Sequence, residues 1–175
     1  MPKSRAVMSA RAALLCWLVL WPIAQALAQV LLPQTADVEA LIEALRPLPA
    51  TRGFGPQPPK ASAAVPVEFD PGSVRLTEQG RHVLDKLGAA LTSSELNAYA
   101  FRVEVHVEAS SNPARDLLLS KRQANTIKDY LVKQFRLSPR RLTTGGRGSS
   151  QPLDEANRAS PLNRRMVVTN AGTHP

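Results

Sequence analysis

Between residues 65 and 169 the hydrophobic positions alternate between a two-residue period and a helical one, the pattern of strands interleaved with amphipathic helices. Val65, Val67 and Phe69 alternate with Pro66 and Glu68, and Asp70-Pro71-Gly72 closes the run with a turn, so a first strand is expected over 65–69. After Thr77, a candidate N-cap, Val83, Leu84, Leu87 and Leu91 fall on one helical face and predict a helix over 78–91. Phe101, Val103, Val105 and Val107 then alternate with Arg102, Glu104, His106 and Glu108, which predicts a half-buried strand with a polar outer side. Ser110 to Pro113 break it. Leu119, Ala124, Ile127, Leu131 and Phe135 form the buried stripe of a second helix over 116–135. Residues 141–144 read as a third strand, ended by Gly145, Gly146 and Gly148, and 166–169 as the last. The order βαβαββ predicts an α/β fold of two layers, a sandwich with the helices packed on one face of a mixed sheet.

Ahead of this region, Val38, Leu41, Ile42 and Leu45 share one helical face after Thr35 and Asp37, predicting a short amphipathic helix before residue 46. Its stripe is expected to dock on the following domain; a second reading makes it a contact for another protein. Six prolines, with Gly53 and Gly55, erase any hydrophobic period from 46 to 66 and predict an extended linker. At the start, Lys3, Arg5 and Arg11 precede an apolar run over 12–24, and Ala26-Leu27-Ala28 places small residues at a cleavage position. A secretory signal cut before Gln29 is expected, since Pro22 interrupts a run shorter than the ~20 apolar residues of a spanning helix. The predicted organisation is therefore a signal over 1–28, the helix within 29–46, a linker over 47–64, one domain over 65–170 and a tail over 171–175.

Composition narrows the chemistry. Cys16, the single cysteine, lies inside the leader, so the exported part has no thiolate for catalysis or zinc and no disulfide. Three of the 22 basic residues and none of the 14 acidic ones lie in the leader, leaving an excess of five positive charges on the remainder of the chain. That balance favours approach to anionic surfaces such as phospholipid headgroups and wall polymers. A nucleic-acid partner is disfavoured by the few aromatic residues and by the dispersal of bases among acids. His82, His106 and His174 are far apart in sequence and form no ligand pair, so no metal and no cofactor are expected. No Gly-x-Ser-x-Gly occurs, and the 145–148 glycines precede neither a helix pattern nor a lysine, so no catalytic residue is assigned.

Five stretches resemble a known family in their order along the chain: "FDPGSVRL" from Phe69, "LSKRQA" from Leu119, "GRGSSQP" from Gly146, Asn157, and "NRR" from Asn163. Together they resemble the OmpA-like domain of peptidoglycan-associated envelope proteins, over about 65–169. The resemblance implies a non-enzymatic module of a Gram-negative envelope, exported to the periplasm, associated with the outer membrane and binding peptidoglycan without covalent chemistry. In that family an aspartate closing a Gly-His-Thr-Asp motif takes the ammonium of the diaminopimelate residue. The arginine of a Leu-Ser-x-x-Arg-Ala motif takes its carboxylate. A fixed anion and a planar bidentate cation are the natural grip for a zwitterion.

Carried over position by position, the first motif falls on Val105, His106, Val107 and Glu108, keeping the histidine and an acid. The family's asparagine falls on Asp116, and its arginine falls on Gln123. Arg122 is adjacent, but one residue along a helix is a rotation of about 100°. The resemblance thus implies a ligand site of His106, Glu108, Asp116, Arg122, Gln123 and Arg164, with peptidoglycan binding weakened by the missing cation. The alternative is a structural or protein-interaction part of an envelope assembly that binds no such ligand. In it, His106 and Glu108 are the solvated side of a strand, and Arg164 and Arg165 pin the last strand through ion pairs.

Overall fold

A computed structural model describes residues 29–47 and 60–174. The predicted signal and most of the predicted linker lie outside the described residues. Within them the chain runs β1 (Gln29–Leu31), α1 (Val38–Leu45), β2 (Ser62–Val65), α2 (Glu78–Thr92), β3 (Tyr99–His106), α3 (Pro113–Phe135), β4 (Leu142–Gly148) and β5 (Arg165–Thr173). Single 3-10 turns, Pro139–Arg141 and Pro161–Asn163, precede β4 and β5. The five-stranded sheet has the order β1-β2-β5-β3-β4. β3 and β4 are parallel neighbours joined through α3, β5 is antiparallel to both β2 and β3, and β1 is parallel to β2. From β2 onward this is the expected βαβαββ order on a mixed sheet.

Local chemistry explains where the helices begin. Thr77 Oγ1 accepts from the Gly80 amide at 3.0 Å, and Asn112 Oδ1 accepts from the Arg115 amide at 3.1 Å. Pro113 opens α3 at a position whose amide has no helical partner in any case. One face of each helix then enters a common core: Leu84, Leu87 and Leu91 of α2 and Ala124, Ile127 and Leu131 of α3 pack with Phe101, Val103 and Val105 of β3 and with Met166 and Val168 of β5. Burying each large aliphatic side chain contributes roughly 1.5–3 kcal/mol.

The predicted helix before residue 46 forms as α1, capped by Asp37, whose Oδ1 accepts from the Ala40 amide at 2.9 Å. Leu41 and Leu45 enter the main core, and Asn170 Nδ2 of β5 donates to the Leu45 carbonyl at 2.9 Å. The stripe docks on the domain, which leaves it unavailable as a separate tether for another protein.

Several features differ from the sequence reading; α3, for one, begins at Pro113, three residues before the expected start. The first strand lies at Ser62–Val65 rather than 65–69, and so takes the end of the predicted linker. Ser62, Ala63, Ala64 and Val65 are all buried, so no polar side marks a two-residue period. Val67 is buried beyond the strand, and Phe69 makes only an isolated bridge to Leu76. β1 was not expected: three residues carry no period, and pairing with β2 makes it a strand.

The glycines after Thr144 do not end the third strand; they continue it to Gly148. A Cβ at Gly146 would stand 2.3 Å from the Lys121 amide nitrogen and 2.5 Å from Ser120 Oγ, so glycine is what lets α3 cross β4 at this distance. The last strand runs on to Thr173, opposite Tyr99, where a tail was expected from residue 171.

Candidate functional site

α3 begins where β3 ends, and their junction opens a cleft of about 390 Å³. Its walls include His106 and Glu108 from the end of β3, Asp116, Leu119 and Gln123 from α3, Arg164 from the approach to β5, and the 69–72 turn. The structure therefore gathers five of the six residues proposed from sequence. Arg122 is the exception: it is exposed and lies outside the lining, as the rotation of about 100° from Gln123 requires.

His106 is not on a solvated strand face. It is 4 % exposed, directly across from Arg165 in the β3–β5 pairing, at a register shift between β3 and β4. Burial, reinforced by the nearby positive charges of Arg165 and Arg147, pushes its imidazole pKa down from 6.5 to about 4. It is neutral at pH 7. Arg165 is equally buried; its Nη2 donates to the Gln151 carbonyl at 2.9 Å, so a main-chain contact rather than an ion pair holds it. Burial lowers its pKa as well.

Glu108, just beyond the strand, is partly exposed, and its Oε2 stands 3.8 Å from Arg164 Nε. This is an ion pair looser than a hydrogen bond, so the carboxylate keeps accepting capacity. Of the two arginines expected in ion pairs, Arg164 is in one, with Glu108.

Asp116 is buried and fully engaged. Its carboxylate accepts from the Ser110 amide at 3.0 Å, from Ser110 Oγ at 2.5 Å and from Ser149 Oγ at 2.8 Å. Burial alone would raise its pKa, but the Ser110 and Ser149 donors, with Arg115 beside it, hold the carboxyl below its usual value. Asp116 fastens the loop before α3 to the loop after β4. Gln123, 6 % exposed, donates from Nε2 to the Ser73 carbonyl at 2.8 Å. Its neutral amide is part of the wall, tying α3 to the turn that follows β2.

The remaining motif residues build the frame. Ser120 Oγ accepts from the Gly148 amide at 2.9 Å and donates to the Leu117 carbonyl at 3.0 Å, pinning α3 to the end of β4. Buried Asn163 accepts from the amides of Leu153 and Asp154 and donates to the carbonyls of Asp154, Asn157 and Arg158, organising the loop before β5. Sequence reasoning missed Arg115, which also lines the cleft. Helical spacing was the available signal, since Arg115 stands one turn before Leu119 and Gln123 one turn after.

Among the described residues, no group of three or more histidine, cysteine or acidic residues is placed to hold a metal ion. None of their helices is long and apolar enough to cross a membrane.

Comparison with known proteins gives the same frame. The family model that matches is that of the OmpA family, over residues 68–165. No curated protein matches the chain. Among solved structures, the OmpA-like domain of FopA1 from Francisella tularensis superimposes with a TM-score of 0.54 at 19 % identity, covering 65 % of this chain and 75 % of that one. A putative MotB-like protein from Desulfovibrio vulgaris gives 0.53 at 22 % identity, with coverages of 65 % and 74 %. The periplasmic domain of Helicobacter pylori MotB gives 0.53 at 12 % identity, with coverages of 65 % and 83 %. At these identities the likeness establishes the fold.

Proposed function

Because the chain belongs to the OmpA family, whose model spans more than half of it, we propose that it is a non-enzymatic protein of the Gram-negative cell envelope. In this reading it faces the periplasm and binds the stem peptide of peptidoglycan non-covalently. The observation that carries the proposal is convergence: His106, Glu108, Asp116, Gln123 and Arg164, brought from three parts of the chain, line one cleft. Glu108 is the anion for the ligand ammonium, since its contact with Arg164 leaves it free to accept. His106 supports that end as a neutral, buried wall, and Asp116 holds the loops that frame it.

Binding is weakened at the other end. Gln123 has no charge, and its amide is already committed to Ser73. Losing a charge-assisted bidentate contact costs about 2–4 kcal/mol, or tens to several hundredfold in affinity. The test is retention of the purified chain on peptidoglycan sacculi. Retention that Glu108→Ala removes supports the cleft; retention indifferent to that change refutes it.

A second reading has its own support: Gln123, Asp116 and Glu108 all have partners within the chain. A site whose groups satisfy one another is also what a purely structural or protein-interaction module would show. That module would not be retained on sacculi, and Gln123→Arg would not create retention.

A further inference from the structure

Among the described residues, the charged groups that line the cleft have partners, with one exception; the neutral His106 also leaves its buried Nδ1 without one. Asp70 is paired with Arg75, Glu108 with Arg164, Asp116 with Ser110 and Ser149, and Gln123 with Ser73. Arg115 lines the same cleft from the first turn of α3. Its main-chain amide is taken by the Asn112 cap, but among the described residues its guanidinium has no hydrogen-bond or ion-pair partner. It is exposed, and its charge reaches the neighbouring Asp116 carboxylate.

We propose that Arg115 receives the carboxylate of the stem peptide's diamino acid, in place of the arginine absent at position 123. The proposal rests on the cleft being the peptidoglycan site. A ligand whose ammonium meets Glu108 needs a cation elsewhere along the cleft. Arg164 is already engaged by Glu108, and Gln123 is neutral and tied. Arg115 offers a planar fork of N–H donors with nothing to release first.

The shift in position changes how the grip behaves. Eight residues of helix separate Arg115 from Gln123, about 12 Å along the axis, so the carboxylate is held toward the start of α3 rather than against its middle. That end of a helix also favours negative charge. The guanidinium lies in solvent, so its contact is screened by salt and requires ordering a flexible side chain. The preference for a free carboxylate is therefore modest, about tenfold rather than hundreds.

The experiment uses two soluble stem peptides, identical except that the diaminopimelate carboxylate is free in one and amidated in the other. Their affinities for the full chain are measured by titration calorimetry at low and moderate salt. The wild type is expected to favour the free carboxylate about tenfold, less so as salt rises. Arg115→Gln should bind both peptides equally, Arg115→Lys should keep part of the preference, and adding Gln123→Arg to Arg115→Gln should restore it. Equal binding of both peptides by the wild type, or a preference that survives Arg115→Gln, overturns the role of Arg115 and leaves the cleft standing. Binding of neither peptide overturns both.

Discussion

The Gln123 side chain donates to the Ser73 carbonyl at 2.8 Å, which joins the middle of α3 to the turn following β2 across 50 residues of sequence. The position onto which the resemblance places the family's arginine is thus occupied by a structural hydrogen bond. A guanidinium there could keep the Ser73 carbonyl with one N–H and present others to a ligand. Gln123→Arg is expected to raise affinity for the free-carboxylate stem peptide by at least tenfold, measured by calorimetry. Gln123→Ala should lower the stability in urea by about 1 kcal/mol, the usual contribution of one such bond.

Neighbouring glycines of β4 should respond differently to the same substitution. At Gly145 a new Cβ would meet only the Glu104 side chain, at 3.6 Å, an ordinary contact. At Gly146 it would stand 2.3 Å from main-chain nitrogen of α3, which can yield only if the helix moves. Gly146→Ala is expected to cost about 1–3 kcal/mol or more by overpacking. Gly145→Ala should change the urea midpoint little. Paired denaturation curves decide it.

His106 makes stability depend on pH in a defined window. Its folded pKa, about 4, lies below the ordinary 6.5, so between these values the unfolded chain binds more protons than the folded one. Stability therefore falls as pH drops from about 6.5 to about 4, and this contribution is level below that range. The full span is on the order of 3 kcal/mol. Urea midpoints taken through the window should decline, and His106→Gln should flatten the part of the slope that the imidazole supplies. An unchanged slope in that variant would assign the pH dependence to other groups.

Much of the frame was legible because its periods are clean. α2 and α3 repeat Leu, Val and Ile at helical spacing, Thr77 caps α2, and β3 alternates from Phe101 to Val105, whereas Asn112, the cap of α3, reads from sequence as part of a break. β2 and β4 were read imperfectly for opposite reasons. β2 is buried on both faces and so has no alternation, while β4 is glycine-rich because a helix crosses it, and glycine in sequence reads as a break. The set of cleft residues was legible through family motifs, with Arg122 admitted by adjacency and Arg115 overlooked because no motif marks it.

From its order of residues alone, the chain specified an α/β sandwich and the core faces of its helices, and the family resemblance placed Gln123 where an arginine is expected. Burial and partnership came from the folded chain. His106 and Glu108 are two residues apart on what reads as one polar strand edge, yet one is a neutral wall and the other a half-exposed acid. Asp116 is from sequence one residue of the expected ligand site, and in the fold it is a knot of three hydrogen bonds. These roles depend on groups 6 to 56 positions away, from Ser110 beside Asp116 to Arg164 beside Glu108, and no local pattern encodes such distances. The packing of α3 over β4 and against the 70–76 turn leaves Arg115 as a cleft cation unmatched among the described residues.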